Sequence, residues 1–411
     1  MSNRDYDIVL YGATGFVGQL TAAHLARHAP DGIRIALAGR NQAKLEALRS
    51  ELPSEAANWP VVIADSTDAE SLQAVAESTR VVISTVGPYA KYGLPLVEAC
   101  ATTGTDYVDL TGEVLFVRES IDRFQDEAAR TGARIVHSCG FDSVPSDLGV
   151  LVLAEKVHAD GAGDLGDTTL YMAMKGGISG GTAASAMVQA DEVRADKDKR
   201  RVAGDKFALS PDRAAEPSGE WKDSAAVRYS DEIGAWTAPF MMAMFNTRIV
   251  RRSNALQHHV YGGTFRYREV QRTGRGWSGR LTGYAVAGVL GLGFGAMSVP
   301  FLRPVVERVL PSPGEGPSEK SRANGHFKAT LKTTTTTGAS YTSVVAAQGD
   351  PGYAATAVML GESALSLAVS RDDCPLPTGL AGGVLTPATA LGNVLIERLR
   401  AQGFTIDATA G

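Results

Sequence analysis

The sequence predicts an α/β protein in which an N-terminal, doubly wound parallel sheet is combined with an inserted α+β domain that contains a mainly antiparallel sheet. Three observations predict this fold class. Strand and helix patterns alternate over residues 1–140 at the spacing of βαβ units. Glycines spaced Gly-x-x-Gly-x-x-Gly connect the first strand to the first helix. After Pro145 the pattern changes to alternating, threonine-rich segments that are typical of antiparallel strands.

The parallel sheet is predicted from six short apolar runs. Residues 81–85 (VVIST) form a continuous β-branched run, as a strand buried on both faces requires. The predicted strands lie near 7–11, 33–38, 61–64, 80–85, 106–109 and 133–138. The predicted helices lie near 16–28, 41–51, 68–77, 93–103 and 115–131.

The glycine-spaced turn at residues 12–18 is the clearest chemical signal in the chain. It follows an apolar strand and opens a helix, which is the context of a Rossmann dinucleotide cradle. One glycine makes the tight turn, one lets the backbone approach the phosphates, and one lets the helix pack on the strand. Free N–H groups at the helix N-terminus then bind the pyrophosphate. The predicted cofactor contacts in this turn are Gly12, Ala13, Thr14, Gly15, Phe16, Val17 and Gly18.

The end of the second strand indicates which nucleotide binds. An acidic residue there would hold the ribose 2′-hydroxyl of NAD, whereas a basic residue accepts the 2′-phosphate of NADP. The strand ends at Arg40, followed by Asn41 and Lys44, and no acid occurs before Glu46. We therefore predict NADP(H), gripped by the Arg40 guanidinium. The alternative is that Arg40 is a solvated residue that opens a helix.

Two further strand ends face the same crevice. Asp65 follows the third strand and is placed to reach the adenine amine, although it could instead cap the next helix. The turn after the fourth strand must lie beside the nicotinamide, because ligands bind at the carboxyl ends of parallel strands. We predict that its residues form the wall of that site: Ser84, Thr85, Val86, Gly87 and Pro88.

The chain beyond the parallel sheet is predicted to form the inserted domain. We expect residues 1–145 to be the Rossmann domain and 146–384 to be an α+β substrate and oligomerisation domain. Residues 385–411 are expected to return as a helix to the first domain. Predicted strands lie at 168–175, 260–272 and 325–348, and predicted helices lie at 180–194 and 353–370.

Composition excludes several classes of protein. The chain has 411 residues, 44% hydrophobic and 21% charged, with a formal net charge of −5, which gives no reason to expect a nucleic-acid partner. Three widely separated cysteines fit neither a disulfide framework nor a metal site. The N-terminus lacks the pattern of a signal peptide, so we expect a cytoplasmic location.

One apolar segment stands apart. Residues 281–302 (LTGYAVAGVLGLGFGAMSVPFL) carry no charge and are flanked by Arg280 and Arg303. The first interpretation is a buried or interfacial element of the substrate domain. The second is contact with the inner face of the plasma membrane, and the third is a true span, for which the length suffices.

Seven motifs are spread along the chain: GATGFVG (12–18), AGR (38–40), STVGPY (84–89), YVDLTGE (107–113), SCGFDSVPSDLG (138–149), GDPGYAATA (349–357) and GVLTPATALG (383–392). Together they resemble the saccharopine dehydrogenase family, and within it the actinobacterial trans-acting enoyl reductase branch. The resemblance implies a Rossmann domain with an inserted α+β domain, NADPH as cofactor, and reduction of a carbon–carbon double bond in a lipid or polyketide acyl intermediate. It also implies that a carrier protein or polyketide synthase presents the substrate. A homodimer is left open.

Enoyl reduction requires hydride delivery to the β-carbon, a donor to the enolate oxygen and a proton for the α-carbon. We predict Tyr89 or Tyr92 as the proton donor, with Asp142 and Ser143 shaping the pocket. The alternatives are that Tyr89 only stacks on the nicotinamide and that Asp142 and Ser143 only brace a turn. Tyr171 and Lys175 have the spacing of a short-chain dehydrogenase pair, but their surroundings alternate like a strand.

Two other functions remain at this point. A reductase of an imine or amino acid would need arginines for substrate carboxylates, and a set of five could supply them. A non-catalytic, lipid-associated protein that binds NADPH would show no turnover. The five arginines are Arg248, Arg251, Arg252, Arg266 and Arg268.

Overall fold

The structure is a computed structural model that describes residues 4–176, 180–216, 226–297 and 318–411. The described chain contains two seven-stranded sheets. The first half of the chain alternates strand and helix. Its elements are β1 (Tyr6–Tyr11), α1 (Phe16–His28), β2 (Ile35–Gly39), α2 (Gln42–Glu51), β3 (Val61–Ile63), α3 (Ala69–Ser78), β4 (Thr79–Ser84), α4 (Tyr89–Tyr92), α5 (Leu94–Thr103), β5 (Asp106–Asp109), α6 (Val114–Thr131), β6 (Arg134–Val136) and α7 (Val144–Ala159).

The second half contains longer strands and the remaining helices. Its elements are β7 (Leu165–Lys175), α8 (Gly180–Ala195), α9 (Lys197–Gly204), β8 (Arg228–Ser230), β9 (Ala235–Pro239), α10 (Ala243–Leu256), β10 (Arg266–Gly274), α11 (Gly276–Met297), α12 (Glu319–Ala323), β11 (His326–Thr335), β12 (Ser340–Gln348), α13 (Thr356–Val369), β13 (Gly383–Leu385), α14 (Pro387–Ala390), α15 (Gly392–Ala401) and β14 (Thr405–Ala410).

The first sheet is parallel throughout and has the strand order β13-β6-β5-β4-β1-β2-β3. From β1 the strands are added on one side, as β2 and β3, and the chain then returns to add β4 on the other side of β1. The turns after β1 and β4 therefore lie side by side. A crevice opens at such a switch point, outside the carboxyl ends of the strands. The predicted cofactor turns therefore meet at one edge of the sheet.

The second sheet has the order β14-β12-β11-β7-β10-β9-β8, and only the β7–β10 pair is parallel. Helix α7 covers one face against β11, β12 and β14. Helix α11 packs against β9 and β10 at the other end of the sheet. The predicted fold class, a doubly wound parallel sheet with a mainly antiparallel second sheet, is confirmed.

A buried ion network attaches the cofactor helix to the end of the chain. The Glu362 carboxylate on α13 contacts Nε2 of His24 at 2.8 Å and accepts a hydrogen bond from Nε of Arg398 at 2.7 Å. Glu362 is buried, so its negative charge depends on these partners for compensation. Helices α1, α13 and α15 are thereby held together.

Several elements differ from the sequence expectation. The strand expected at 260–272 begins only at Arg266, because Gly262 has a φ of 132° and Phe265 donates its N–H back to that residue. The stretch 385–411, expected as one returning helix, contains α14 and α15 and then β14, which pairs with β12 in the second sheet. Strand β13 joins the first sheet instead. Tyr171 and Lys175 lie on strand β7, as predicted.

The apolar segment 281–302 falls partly outside the described residues, since 298–302 are not described. Its described part belongs to α11 and is not buried, so of the first interpretation, a buried or interfacial element, only the interfacial form stays a prediction. Tyr284, Val289 and Leu292 are 54%, 69% and 77% exposed. Among the described residues, Pro351–Val369 is the one helix apolar and long enough to cross a membrane, and 78% of it is buried inside the protein.

Candidate active site

The three glycines of the first turn each meet a different physical constraint. Gly12 has a φ of 86°, and a Cβ there would lie 2.6 Å from Oγ1 of Thr85. A Cβ on Gly18 would lie 2.4 Å from the carbonyl oxygen of Gly12, so only glycine lets α1 pack this closely on the β1 turn. A Cβ on Gly15 would have one near protein neighbour, at 3.3 Å, and would otherwise point into the crevice.

The N-terminus of α1 presents the donors that a pyrophosphate needs. Gly15 is the N-cap residue, and no side chain caps the helix there. The N–H groups of Phe16, Val17 and Gly18 have no intrahelical acceptor, as in the first turn of any α-helix. Ala13 is fully buried beneath the turn, and the carbonyl of Thr14 accepts a hydrogen bond from Gln19. The residues present therefore fit a dinucleotide.

The end of β2 places a cation beside this turn. Arg40 is exposed directly after β2, whose Ala38 pairs with Tyr11 of β1. Asn41 caps α2 by accepting the N–H of Lys44 at 3.0 Å, so its side chain is used locally. Lys44 is exposed in the first turn of α2. Arg40 and Lys44 could therefore both approach a ribose phosphate at this edge.

Asp65 lies after β3 and closes its own turn. Its Oδ1 accepts hydrogen bonds from the N–H and the hydroxyl of Thr67, and these bonds lower the pKa of the carboxyl. The N-cap of α3 is Asp68 and not Asp65. Contact between Asp65 and the adenine stays a prediction.

The turn after β4 is fastened to the glycine turn and to β5. The hydroxyl of Thr85 donates to the carbonyl oxygen of Gly12 at 2.9 Å, and Val86 packs against the same glycine. A cis peptide bond joins Gly87 to Pro88, which precedes α4. The Glu113 carboxylate accepts the N–H groups of Tyr89 and Ala90 at 2.9 and 2.7 Å, which fixes the start of α4.

A cavity of about 320 Å³ opens between these turns and the second domain. Its wall is formed mainly by glycines and by apolar and aromatic side chains. Asp142 and Arg248 are the acidic and basic residues on this wall among the described residues. The predicted site residues that border the cavity are Gly15, Phe16, Val17, Thr85, Gly87, Pro88, Tyr89 and Asp142.

Asp142 presents the carboxyl group of this cavity. A Cβ on Gly112 would lie 3.4 Å from Oδ1, and one on Gly140 would lie 3.2 Å from Oδ2, so the carboxyl sits between two glycines. Burial raises the pKa of Asp142 to about 7, and the negative charge of Asp109 acts in the same direction. The group is therefore able to hold a proton at neutral pH.

The two tyrosines are placed differently. The Tyr89 ring borders the cavity, but its hydroxyl donates to the buried carbonyl oxygen of Ser84 at 2.9 Å and accepts from the N–H of Leu110. Tyr92 is half-buried and is not among the described residues that border the cavity. The Tyr89 hydroxyl is thus already bonded to two backbone groups, and proton donation by Tyr89 or Tyr92 stays a prediction.

Ser143 supports the domain interface. It is fully buried, and its hydroxyl donates to Oδ1 of Asn246 on α10 at 3.2 Å. The amide of Asn246 donates in turn to Glu269 on β10 at 2.9 Å. Ser143 thus braces the start of α7, which agrees with the alternative given for it above.

The sequence is similar to a known protein family over its whole length. Residues 8–136 match the family model described as the saccharopine dehydrogenase NADP binding domain. A protein of Mycobacterium tuberculosis is 50% identical over 99% of this chain and 98% of its own length. The trans-acting enoyl reductase of Mycobacterium ulcerans is 46% identical over 99% of both chains. The chain belongs to the trans-acting enoyl reductase branch of the saccharopine dehydrogenase family.

A solved structure supports the fold of this family member. The apo saccharopine dehydrogenase (L-Glu forming) of Saccharomyces cerevisiae aligns over 99% of this chain and 100% of its own, with a TM-score of 0.56 and 16% identity. Identity this low is informative about the fold alone. The match to the NADP binding domain confirms the cofactor prediction, NADP(H).

One side of the cavity, formed by methionines, was not predicted from the sequence. Met241, Met242, Met244 and Phe245 line the cavity just before and within the first turn of α10. Methionine side chains are flexible and polarizable, so they adapt to apolar ligands of varied shape. The run of three methionines within four residues was the available signal, but nothing local placed it beside the cofactor crevice.

Five arginines could have held the carboxylate of an imine or amino-acid substrate. The structure gives three of them backbone partners and places the other two on a strand of the second sheet. Arg248 lies on α10, and its guanidinium donates to the carbonyl oxygens of Met244, Asp205 and Ala203. Arg251 and Arg252 lie on the same helix and donate to further backbone carbonyls, not to the cavity. Arg266 and Arg268 lie on β10 of the second sheet.

Replacing Arg40 with alanine is expected to raise the Kd of NADPH about 10- to 100-fold, because a guanidinium–phosphate contact contributes roughly 1.5–3 kcal/mol. The Kd of NADH should change little. Fluorescence titration of both nucleotides measures this difference. Arg27→Ala, on the last turn of α1, is the matched control. Equal losses for NADPH and NADH would show that Arg40 does not read the 2′-phosphate.

Proposed function

We propose that this protein is an NADPH-dependent enoyl reductase that reduces the carbon–carbon double bond of a lipid or polyketide acyl intermediate. The observation that carries the proposal is the mostly apolar cavity beside the nicotinamide turn, in which Asp142 presents a carboxyl group. An acyl chain needs such a wall, since each buried methylene contributes about 0.8 kcal/mol. The name shared by its relatives supports the same reaction.

We assign the following roles to the site residues. The turn residues 12–18, Arg40 and the 84–88 turn hold the cofactor, which supplies a hydride to the β-carbon when bound. Protonated Asp142 gives its proton to the α-carbon, as a general acid with a pKa near neutrality should. Gln189 is a candidate to hold the enolate oxygen: its Oε1 accepts the N–H of Val114 at 3.1 Å, which orients the side-chain NH₂ group.

The competing reaction, reduction of an imine or amino acid, is less well supported. Substrate carboxylates are usually held by arginine or lysine. Arg248 is the basic residue on the described cavity wall, and backbone carbonyls already engage its guanidinium. The methionine-rich side of the cavity offers no group for a carboxylate.

NADPH oxidation by the purified protein, in the presence of different substrates, tests the proposal. We expect turnover with α,β-unsaturated acyl thioesters, and kcat/KM rising up to about fourfold for each methylene that the cavity buries. The comparison substrates are mixtures of 2-oxo acid and amine. Turnover with those mixtures alone would support the competing reaction. Tight NADPH binding without any turnover would support the non-catalytic alternative.

The proposal extends to the substrate carrier, the domains and the location. We propose that a carrier protein or polyketide synthase presents the acyl chain at the mouth of the cavity, in the cytoplasm. Cys100, Cys139 and Cys374 are free thiols, as a reducing compartment permits.

We keep 1–145 as the cofactor domain. From the substrate domain proposed at 146–384 we exclude α13, which is bonded to α1, and β13, which pairs with β6 in the first sheet. A homodimer stays a prediction.

A further inference from the structure

Helix α11 leaves the body of the protein after its second turn. Its first turns pack against β9 and β10, and a Cβ on Gly283 would lie 2.8 Å from Val227. Farther along the helix, a Cβ on Gly288, Gly291 or Gly293 would have no described heavy atom within 4 Å. The later turns therefore project from the described part of the protein.

The projecting turns are apolar and carry no charge. No acidic or basic residue occurs from Leu281 to Met297. Val289 and Leu292 are 69% and 77% exposed, which is unusual for side chains that water solvates poorly. A contiguous exposed apolar surface of this kind marks an interaction site.

An aromatic and cationic collar surrounds the root of the helix. The Arg280 guanidinium lies 5.3 Å, 5.5 Å and 5.8 Å from the ring centroids of Trp236, Trp277 and Tyr284. Trp277 is 73% exposed. Tryptophan and tyrosine are enriched at the boundary between lipid headgroups and acyl chains, because one side of each ring is apolar and the other is polar.

A cationic depression adjoins this collar on the open face of the second sheet. Arg272, Arg275 and Lys328 border a cavity of about 250 Å³ together with Tyr171 and Thr330. The acidic residues Asp and Glu are absent from the described wall of this cavity. The nearby Glu232 carboxylate accepts a hydrogen bond from the Tyr171 hydroxyl at 2.6 Å. Three cations that form no ion pair with any described residue thus lie at the root of an apolar helix.

We propose that α11 and the Arg272–Arg275–Lys328 cluster form a docking surface for an anionic phospholipid bilayer. The apolar turns enter the acyl region, the aromatic collar lies at headgroup level, and the cations contact lipid phosphates. The aromatic collar selects this occupant over a second copy, since Trp277 and Tyr284 stand at the base of an apolar helix and beside cations, as residues at a lipid headgroup boundary do. The proposal does not depend on the reaction that the enzyme catalyses.

Vesicle co-sedimentation with the full-length protein tests this docking surface. We expect binding to vesicles that contain phosphatidylglycerol and much weaker binding to pure phosphatidylcholine vesicles. Arg272→Gln with Arg275→Gln should lower the partition coefficient about 25-fold, at about fivefold per cation. Higher salt should weaken wild-type binding.

A second pair of substitutions tests the helix itself. Val289→Glu with Leu292→Glu should abolish detectable sedimentation with phosphatidylglycerol vesicles. Val369→Glu, at an apolar position that is 43% exposed elsewhere, is the matched control for an added acid. Arg130→Gln, on α6, is the control for a lost cation. An unchanged Kd for NADPH would show that each variant is folded.

Three results would overturn the proposal. The first is equal binding to neutral and anionic vesicles. The second is wild-type sedimentation of both double variants. The third is a change from dimer to monomer in the α11 variant without any effect on vesicle binding, which would assign the helix to contact between two copies of the chain.

Discussion

Replacing Asp142 with asparagine is expected to lower kcat for enoyl reduction about 100- to 1000-fold, the usual contribution of a positioned general acid. Asparagine has nearly the same shape as aspartate but no carboxyl proton to transfer. The KM for the acyl substrate should change much less, because the apolar wall is untouched. Steady-state kinetics with a saturating NADPH concentration measures both parameters.

We expect kcat to fall as the pH rises above the pKa of Asp142. Burial raises the pKa of Asp142 to about 7, so the acid form predominates below this pH and is lost above it. If this form donates the proton, kcat is level on the acidic side and falls about tenfold per pH unit well above the pKa. The asparagine variant should lose this alkaline limb and keep a low, flat profile.

Asp147 provides a matched control for that experiment. Its carboxyl is also buried with a pKa raised to about 7, but it accepts hydrogen bonds from Ser253 and from the N–H of Ala388 and does not border the cavity. Asp147→Asn should therefore leave the alkaline limb in place. Loss of the limb in this variant, or its persistence in Asp142→Asn, would remove Asp142 from the proposed role.

The cofactor half of the site could be predicted from the sequence because it is local. Gly12, Gly15 and Gly18 lie within one turn, and strand, turn and helix follow one another in the chain. Parallel strands also share one carboxyl edge, so the residues after β4 had to lie near them. Short-range geometry and one topological rule were sufficient there.

The substrate half depends on contacts between distant parts of the chain. The partner of the Ser143 hydroxyl is Asn246, about a hundred residues away along the chain. Helix α10 was not predicted, and its arginines were assigned to a substrate although they bond to backbone carbonyls. Residue type alone does not reveal which partner a polar group will find.

Substitutions in the glycine turn can separate an effect on the Kd of NADPH from an effect on the Tm of the apo protein. Gly15→Ala is expected to raise the Kd of NADPH about 5- to 100-fold, since overpacking typically costs about 1–3 kcal/mol and the added methyl group would point into the crevice. Its backbone φ of −71° suits alanine. The loss of a glycine N-cap should cost about 1 kcal/mol or less. The apo protein should thus melt close to the wild-type Tm.

Gly18→Ala should produce the opposite pattern, because its methyl group would meet the carbonyl oxygens of Gly12 and Ala13 at 2.4 and 2.8 Å. Backbone atoms cannot move aside as a flexible side chain can, so the full cost of about 3 kcal/mol should appear as a Tm roughly 3–4 °C lower without ligand. Thermal melts of the apo protein and NADPH titrations at low temperature distinguish the two variants. If Gly15→Ala destabilised the apo protein as much as Gly18→Ala does, both glycines would serve packing. The crevice above Gly15 would then have no special relation to the pyrophosphate.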